Sequence, residues 1–330
     1  MSFQRRISYK EKLCSFRTLL NLKMEREENP EEVVSRTRRE EKQFFELFYK
    51  VLISMQEGRT TDQEVENGIE KIIAGFREGP TGVCNANNFQ SYGDELGYFY
   101  WSSPVSASVT REKTLDAFRN CEEFASPFRR PSLKVVSLGA GTGSDLVGFY
   151  SAIYEYFETS EEEHSVFKSI EMLLIDKYIN WKPLFLKVDE LLRDRISDFG
   201  NASQLMRSKN ITTSFLRADL KNLSADQRQK ISNAHIVWMK GIQSIQNNDE
   251  HRTLIIENIV SSMALEALLV ILDSPFYEKF VPSNNRLEVI YKTQAASRFW
   301  LEPFSDHESR PRYCRKTNQE LIILKKISEE

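Results

Sequence analysis

The sequence predicts an α/β fold: a seven-stranded, mostly parallel sheet with an antiparallel terminal strand, preceded by a helical N-terminal region. Three observations lead there. From Ser132 onward, short apolar runs alternate with helix-length segments, the pattern of a parallel sheet covered on both faces. Between Val135 and Asp145 an apolar, β-branched run drops into three alternating glycines and then an amphipathic segment, which reads as strand, sharp turn, helix. Upstream of both, residues from about 1 to 130 read as helical.

In the helical region, Phe44, Phe48, Val51, Leu52 and Met55 fall on one helical face. Thr61 and Glu64 form a capping box ahead of Val65, Ile69, Ile72, Ile73 and Phe76, and Gly79-Pro80 is expected to stop that helix. A turn-rich piece is expected from Thr81 to Gly97. Tyr98-Phe99-Tyr100-Trp101 then leads into a helix from about Pro104 to Glu123. Pro127 and Pro131 mark the join, so the chain divides into residues 1–130 and 131–330.

The expected strands are 133–138, 170–175, 211–216, 234–239, 266–272, 287–292 and 320–326. The first five are separated by helix-length segments, one of them opened by the box Ser224 to Gln227. A polar loop, Ala295 to Asn318, separates the last two strands, which can therefore pair antiparallel.

Composition narrows the function classes. With 330 residues, 40% of them apolar, the chain can bury a sizeable core, and a net charge of −3 provides no overall basic field for nucleic acid. Cys14, Cys84, Cys121 and Cys314 lie far apart without a C-x-x-C, and His164, His235, His251 and His307 show no ligand spacing, so neither a metal nor a disulfide framework is expected. No apolar stretch is long enough to span a bilayer and no secretory signal is seen, so a soluble, intracellular protein, cytoplasmic or nuclear, is expected. Residues 1–24 are basic and amphipathic, read either as a helix packed on its own domain or as an organelle transit segment. Neither a G-x-S-x-G elbow nor a P-loop lysine occurs.

The glycine turn carries the chemistry. A dinucleotide fingerprint needs G-x-G-x-x-G, and its third glycine would fall on Ser144; the spacing present, Gly139-Ala140-Gly141-Thr142-Gly143 with Asp145 two residues on, is G-x-G-x-G. That string resembles the first motif of the class I S-adenosyl-L-methionine-dependent methyltransferases. Their Rossmann-like seven-stranded sheet also resembles the pattern of residues 132–330. The resemblance implies the cofactor S-adenosyl-L-methionine, with the glycine loop along its methionine moiety.

It also implies roles at the strand ends. Asp176, after the second strand and next to Lys177, corresponds to the ribose-binding acid; the alternative is a helix-capping aspartate. Its distance from the loop exceeds the roughly 20 residues of a compact unit, the excess lying in an acidic stretch around Glu161 to His164 read as an exposed insertion. Asp219 and Leu220, after the third strand, correspond to the adenine-side motif. Past the fourth strand, Lys240-Gly241-Ile242-Gln243 lacks both D/N-P-P-Y/F and Pro-Cys, so no catalytic residue is assigned, though Lys240 or Gln243 could orient an acceptor. The rings Tyr98 to Trp101 are either a cofactor lid or a seam between helices and sheet. The segment Arg298 to Lys316 mixes basic and aromatic residues, read either as an RNA-binding surface or as a solvated loop.

The expected activity is methyl transfer to RNA, a small molecule or a protein. A non-catalytic adaptor and a nicotinamide-dependent oxidoreductase stand as alternatives.

Overall fold

The computed structural model describes residues 30–77, 89–159, 168–246, 248–280, 286–293, 296–301 and 313–328. The N-terminal helices are α1 (Pro30–Gln56), α2 (Asp62–Arg77) and α3 (Tyr92–Asn120), followed by a helical turn at Glu122–Ala125 and a 3-10 turn at Ser126–Arg129. The alternating part follows as β1 (Ser132–Leu138), α4 (Ser144–Glu158), β2 (Ser169–Asp176), α5 (Trp181–Arg193), α6 (Asn201–Ser208), β3 (Asn210–Arg217), α7 (Ala225–Ser232), β4 (Ile236–Lys240), α8 (Asp249–Ser262) and β5 (Leu268–Asp273). A 3-10 turn at Pro275–Phe280, β6 (Leu287–Lys292), β7 (Ala296–Leu301), β8 (Tyr313–Asn318) and β9 (Glu320–Lys326) complete it.

The sheet is the expected one. Its order is β3-β2-β1-β4-β5-β9-β6, parallel through β5, with β9 antiparallel to both β5 and β6. Side chains alternate between two cores: Leu133 and Val135 of β1, and Ile236 and Trp238 of β4, join a cluster with Phe48, Phe99 and Phe149, whereas Val136, Leu138, Val237 and Met239 pack with Ile255 and Ile259 on the other face. The order reverses between β1 and β4, and in open α/β sheets the crevice beyond such a switch point is where ligands bind.

Two expectations about elements are corrected. Residues 81–88 of the turn-rich piece lie outside the described residues; its end, and the helix expected from about Pro104, give way to one helix that begins at Tyr92 and runs through Pro104. Its start is fixed by a reciprocal box: the Asp94 N–H donates to Ser91 Oγ at 3.1 Å and the Ser91 N–H to Asp94 Oδ2 at 3.2 Å. Proline removes one intrahelical bond, but Pro104 is buried, and packing of the helix against the core outweighs that loss. The polar segment Ala295 to Asn318 contains a separate antiparallel pair, β7 with β8, registered from Ala296↔Asn318 to Leu301↔Tyr313.

The N-terminal helices are bound tightly to the sheet. A Cβ on Gly148 of α4 would lie 2.0 Å from the Ala107 carbonyl oxygen, so α3 and α4 meet backbone to backbone. Beside that contact a buried polar group joins four helices: Arg111 of α3 pairs with Glu155 of α4, the Ser151 hydroxyl donates to Glu40 Oε2 at 2.8 Å, and the Asn201 N–H donates to Glu40 at 3.2 Å.

Candidate functional site

The glycine turn forms as its composition requires. Gly139, Gly141 and Gly143 have φ of 61°, 52° and 72°, in the left-handed region where a side chain is strained. The Gly139 N–H donates to the Ile175 carbonyl at 2.7 Å and the Gly143 N–H to the Ala140 carbonyl at 2.8 Å, tying the turn to β2 and to itself. The three glycines nonetheless differ. A Cβ at Gly139 would strike Ile242 Cδ1 at 1.8 Å and one at Gly143 would strike Phe185 at 2.6 Å, but one at Gly141 would meet nothing within 4 Å. Two are filled by packing, and the middle one borders open space.

Asp176, at the end of β2, turns toward that middle glycine. Its Oδ2 accepts the Gly141 N–H at 2.8 Å and its Oδ1 the Tyr178 N–H at 2.7 Å. Burial pushes its carboxyl above the usual range, against the downward pull of these backbone bonds. At the end of β3, the Asp219 carboxylate meets Lys177 Nζ at 2.9 Å and the Lys221 N–H at 3.1 Å. Partial burial works to raise the Asp219 pKa, but the bond to Lys177, the Lys221 N–H and the two lysine charges outweigh it and hold the group below its ordinary value. Leu220 is buried in the core of the second face, and its carbonyl accepts Asn258 Nδ2 at 3.1 Å.

On the other side of the turn, Asp145 is the second residue of α4 and is buried. Burial raises its pKa, opposed first by the Lys240 charge and then by backbone N–H groups at the helix start. Lys240, at the end of β4, donates to Ser106 Oγ of α3 at 2.7 Å. Burial pulls its pKa down, while the charges of Asp145 and Asp273 push it up. Asp273, at the end of β5, accepts N–H groups of Gln243 at 3.0 Å, Ser244 at 3.2 Å and Ser274 at 2.8 Å, and so pins the turn after β4. Sequence reasoning missed this acid, although it follows an apolar strand as Asp176 does.

The rings of the aromatic run face different neighbours. Phe99 is fully buried against Phe48, and Tyr100 lies against Phe45 and Tyr49, so these rings are seam between helices. Tyr98 instead stacks near Trp181 at 5.6 Å and Phe89 at 5.3 Å, beside the turn that carries Asp176. Sequence reasoning also missed Glu95, whose Oε1 accepts the Tyr178 hydroxyl at 2.5 Å and Asn180 Nδ2 at 3.1 Å, fastening the start of α3 over that turn. Burial and the Glu95 carboxylate push the Tyr178 phenol up to about 12. Residues 302–312 of the basic aromatic segment and the basic N-terminus lie outside the described residues.

The model of a family described as "Putative SAM-dependent methyltransferase" matches residues 95–285, more than half of the chain and inclusive of every strand end above. The chain belongs to this family. S-adenosylmethionine is therefore its cofactor, and the nicotinamide alternative falls. Among solved structures, the methyltransferase is similar to a SAM-dependent methyltransferase from Methanosarcina mazei (12% identity, 61% of this chain and 95% of that one, TM-score 0.39). It is also similar to TrmN from Thermus thermophilus (10%, 70% and 53%, 0.40) and to precorrin-6y C5,15-methyltransferase from Geobacter metallireducens (13%, 66% and 86%, 0.35). No curated protein sequence gives a significant match. Among the described residues, no helix of this methyltransferase is long and apolar enough to cross a membrane, and no group of three or more His, Cys, Asp or Glu side chains is arranged to hold a metal.

Proposed function

We propose that this methyltransferase holds S-adenosylmethionine in the crevice between β1 and β4, with Gly139, Ala140, Gly141, Gly143 and Asp145 along the methionine end. In this reading Asp176 and Lys177 take the ribose side, Asp219 and Leu220 the adenine side, and Lys240 closes the floor. The cofactor brings an activated methyl group on a sulfonium, so the chain contributes alignment and exclusion of water rather than an acid or base. Residues 1–130 form the helical cover and 131–330 the catalytic domain. Glu95, Tyr98 and Ser106 of α3 support the cover, since each lies over a strand end of the sheet.

One observation carries the reading. The left-handed Gly141 borders open space, and its N–H is aimed at a strand-end carboxylate that keeps further lone pairs for ribose hydroxyls. The test is calorimetry with S-adenosylhomocysteine on wild-type protein and on Asp176→Ala, followed by methyl-labelled cofactor with cell extract separated into RNA, protein and small-molecule pools. Binding with labelling of one pool supports the enzyme and names its acceptor. Binding without labelling favours the adaptor reading, which the unusual sequence after β4 keeps in play. Absence of binding overturns both.

A further inference from the structure

The Asp176 carboxylate is held from two sides, by Gly141 and by Tyr178, and the second hold leads out of the sheet into α3. The Tyr178 N–H donates to Asp176 Oδ1, while the hydroxyl at the far end of the same residue donates to Glu95 Oε1. Asn180 Nδ2 closes a triangle: it donates to the Tyr178 oxygen at 2.9 Å and to the same Glu95 oxygen at 3.1 Å. A chain of hydrogen bonds, joined through the body of Tyr178, thus runs from Glu95 to Asp176 and on to the N–H of the open glycine, Gly141.

The far end of this chain is firmly set. Glu95 lies in the first turn of α3 and is only 8% exposed. Its neighbour Asp94 is fixed by the Ser91 box and by Lys71 of α2 at 2.8 Å. On either side of Glu95 the two helices interlock: a Cβ on Gly93 would lie 2.8 Å from Glu64 Cβ, and one on Gly97 would lie 2.8 Å from the Val65 carbonyl oxygen. The Tyr178 ring is held as well, edge-on to Trp181 at 5.3 Å, and Trp181 in turn meets Tyr98, about one turn of α3 beyond Glu95. The phenol, pushed up to about 12, stays protonated near neutral pH and keeps its bond to Glu95. Asp176, at the other end, remains partly exposed.

We infer that Glu95 is a positioning residue of the cofactor site: by holding Tyr178 it fixes the orientation in which Asp176 grips the ribose hydroxyls. This rests on the cofactor reading above. Two neighbouring hydroxyls need both carboxylate oxygens in set places, and an acid oriented beforehand loses less freedom when the ligand arrives. The helical cover and the sheet therefore share one site, since a group on α3 acts at the end of β2. Both bonds to Glu95 fall on a single oxygen, which an amide also offers, so Glu95→Gln keeps the relay whereas Glu95→Ala and Tyr178→Phe break it.

The test is calorimetry on the full chain with S-adenosylhomocysteine and with its 2′,3′-dideoxyribose analogue, which offers Asp176 no hydroxyl. Glu95→Ala and Tyr178→Phe are expected to weaken S-adenosylhomocysteine binding about tenfold and to leave the dideoxy analogue within about twofold, while Glu95→Gln stays within about twofold of wild type for both. On an Asp176→Ala background, Glu95→Ala should weaken binding by less than about twofold more. Equal weakening of both ligands would make Glu95 a structural group only. That result, no weakening at all, or a further loss of about tenfold without Asp176 overturns the inference. Tyr178→Phe carries the same comparison if Glu95→Ala does not fold. Wild-type protein that binds both ligands alike would instead remove the ribose role of Asp176, and one that binds neither would sink the cofactor reading, each taking this inference with it.

Discussion

The Asp176 carboxylate accepts the N–H of Gly141 at 2.8 Å, so an acid from one strand end and the open glycine of the neighbouring turn form a single unit. Hydrogen bonds to a charged acceptor contribute about 1.5–3 kcal/mol. Asp176→Ala is accordingly expected to weaken S-adenosylhomocysteine binding roughly 10- to 100-fold, measured by calorimetry, with the sheet intact by circular dichroism. An unchanged affinity would refute a cofactor role for this acid.

The middle glycine should tolerate substitution differently from its neighbours. Gly141→Ala meets no atom within 4 Å and is expected to fold, carrying only backbone strain of about 1 kcal/mol, but to lose cofactor affinity because its methyl occupies the open space. Gly139→Ala collides with Ile242 and should lower the melting temperature. Equal loss of stability in both variants would contradict this division.

Gly148→Ala probes the junction of α3 and α4. Its new methyl would lie 2.0 Å from a backbone oxygen that cannot rotate away, so the helices must part. Overpacking of this kind costs about 1–3 kcal/mol, and urea unfolding should show a lower midpoint. Little change would mean that the helices are less closely apposed.

Glu41 should make stability pH-dependent. Burial first, with the neighbouring Glu112 charge, pushes its carboxyl up to about 8 against the opposing charges of Arg111 and Arg38. A folded-state pKa above the unfolded one means that the native state binds the extra proton. The stabilisation is thus complete below about pH 4.5 and is lost as pH rises toward 8. The slope for one such group is at most about 1.4 kcal/mol per pH unit. Glu41→Gln should flatten this part of the profile and be the more stable protein at pH 8. A wild-type profile already flat between pH 5 and 8 would count against it.

Much of this architecture was legible because it is local. The seven expected runs coincide with the seven strands of the main sheet to within two residues; the central β4, β5 and β9, buried on both faces, read as near-continuous apolar runs, whereas the edge strands β3 and β6 are partly polar and partly exposed. The glycine spacing likewise marks a turn whose left-handed residues are all glycine. Strand order is not local: nothing in residues 320–326 says that they enter between β5 and β6. The start of α3 is written in the Ser91–Asp94 box, while Pro104, which usually marks a helix start, sits inside the helix. Glu95 carried no signal, because what distinguishes it is a neighbour far away in sequence.

The placement of β9 bears on biosynthesis. Before β9 is in place, β5 has a bare, apolar hydrogen-bonding edge on that side and β6 has no strand of the main sheet to pair with. A chain truncated before Glu320 is therefore expected to expose that edge and to aggregate rather than to work as a smaller protein. Premature stop codons in this stretch should yield aggregates or chaperone clients.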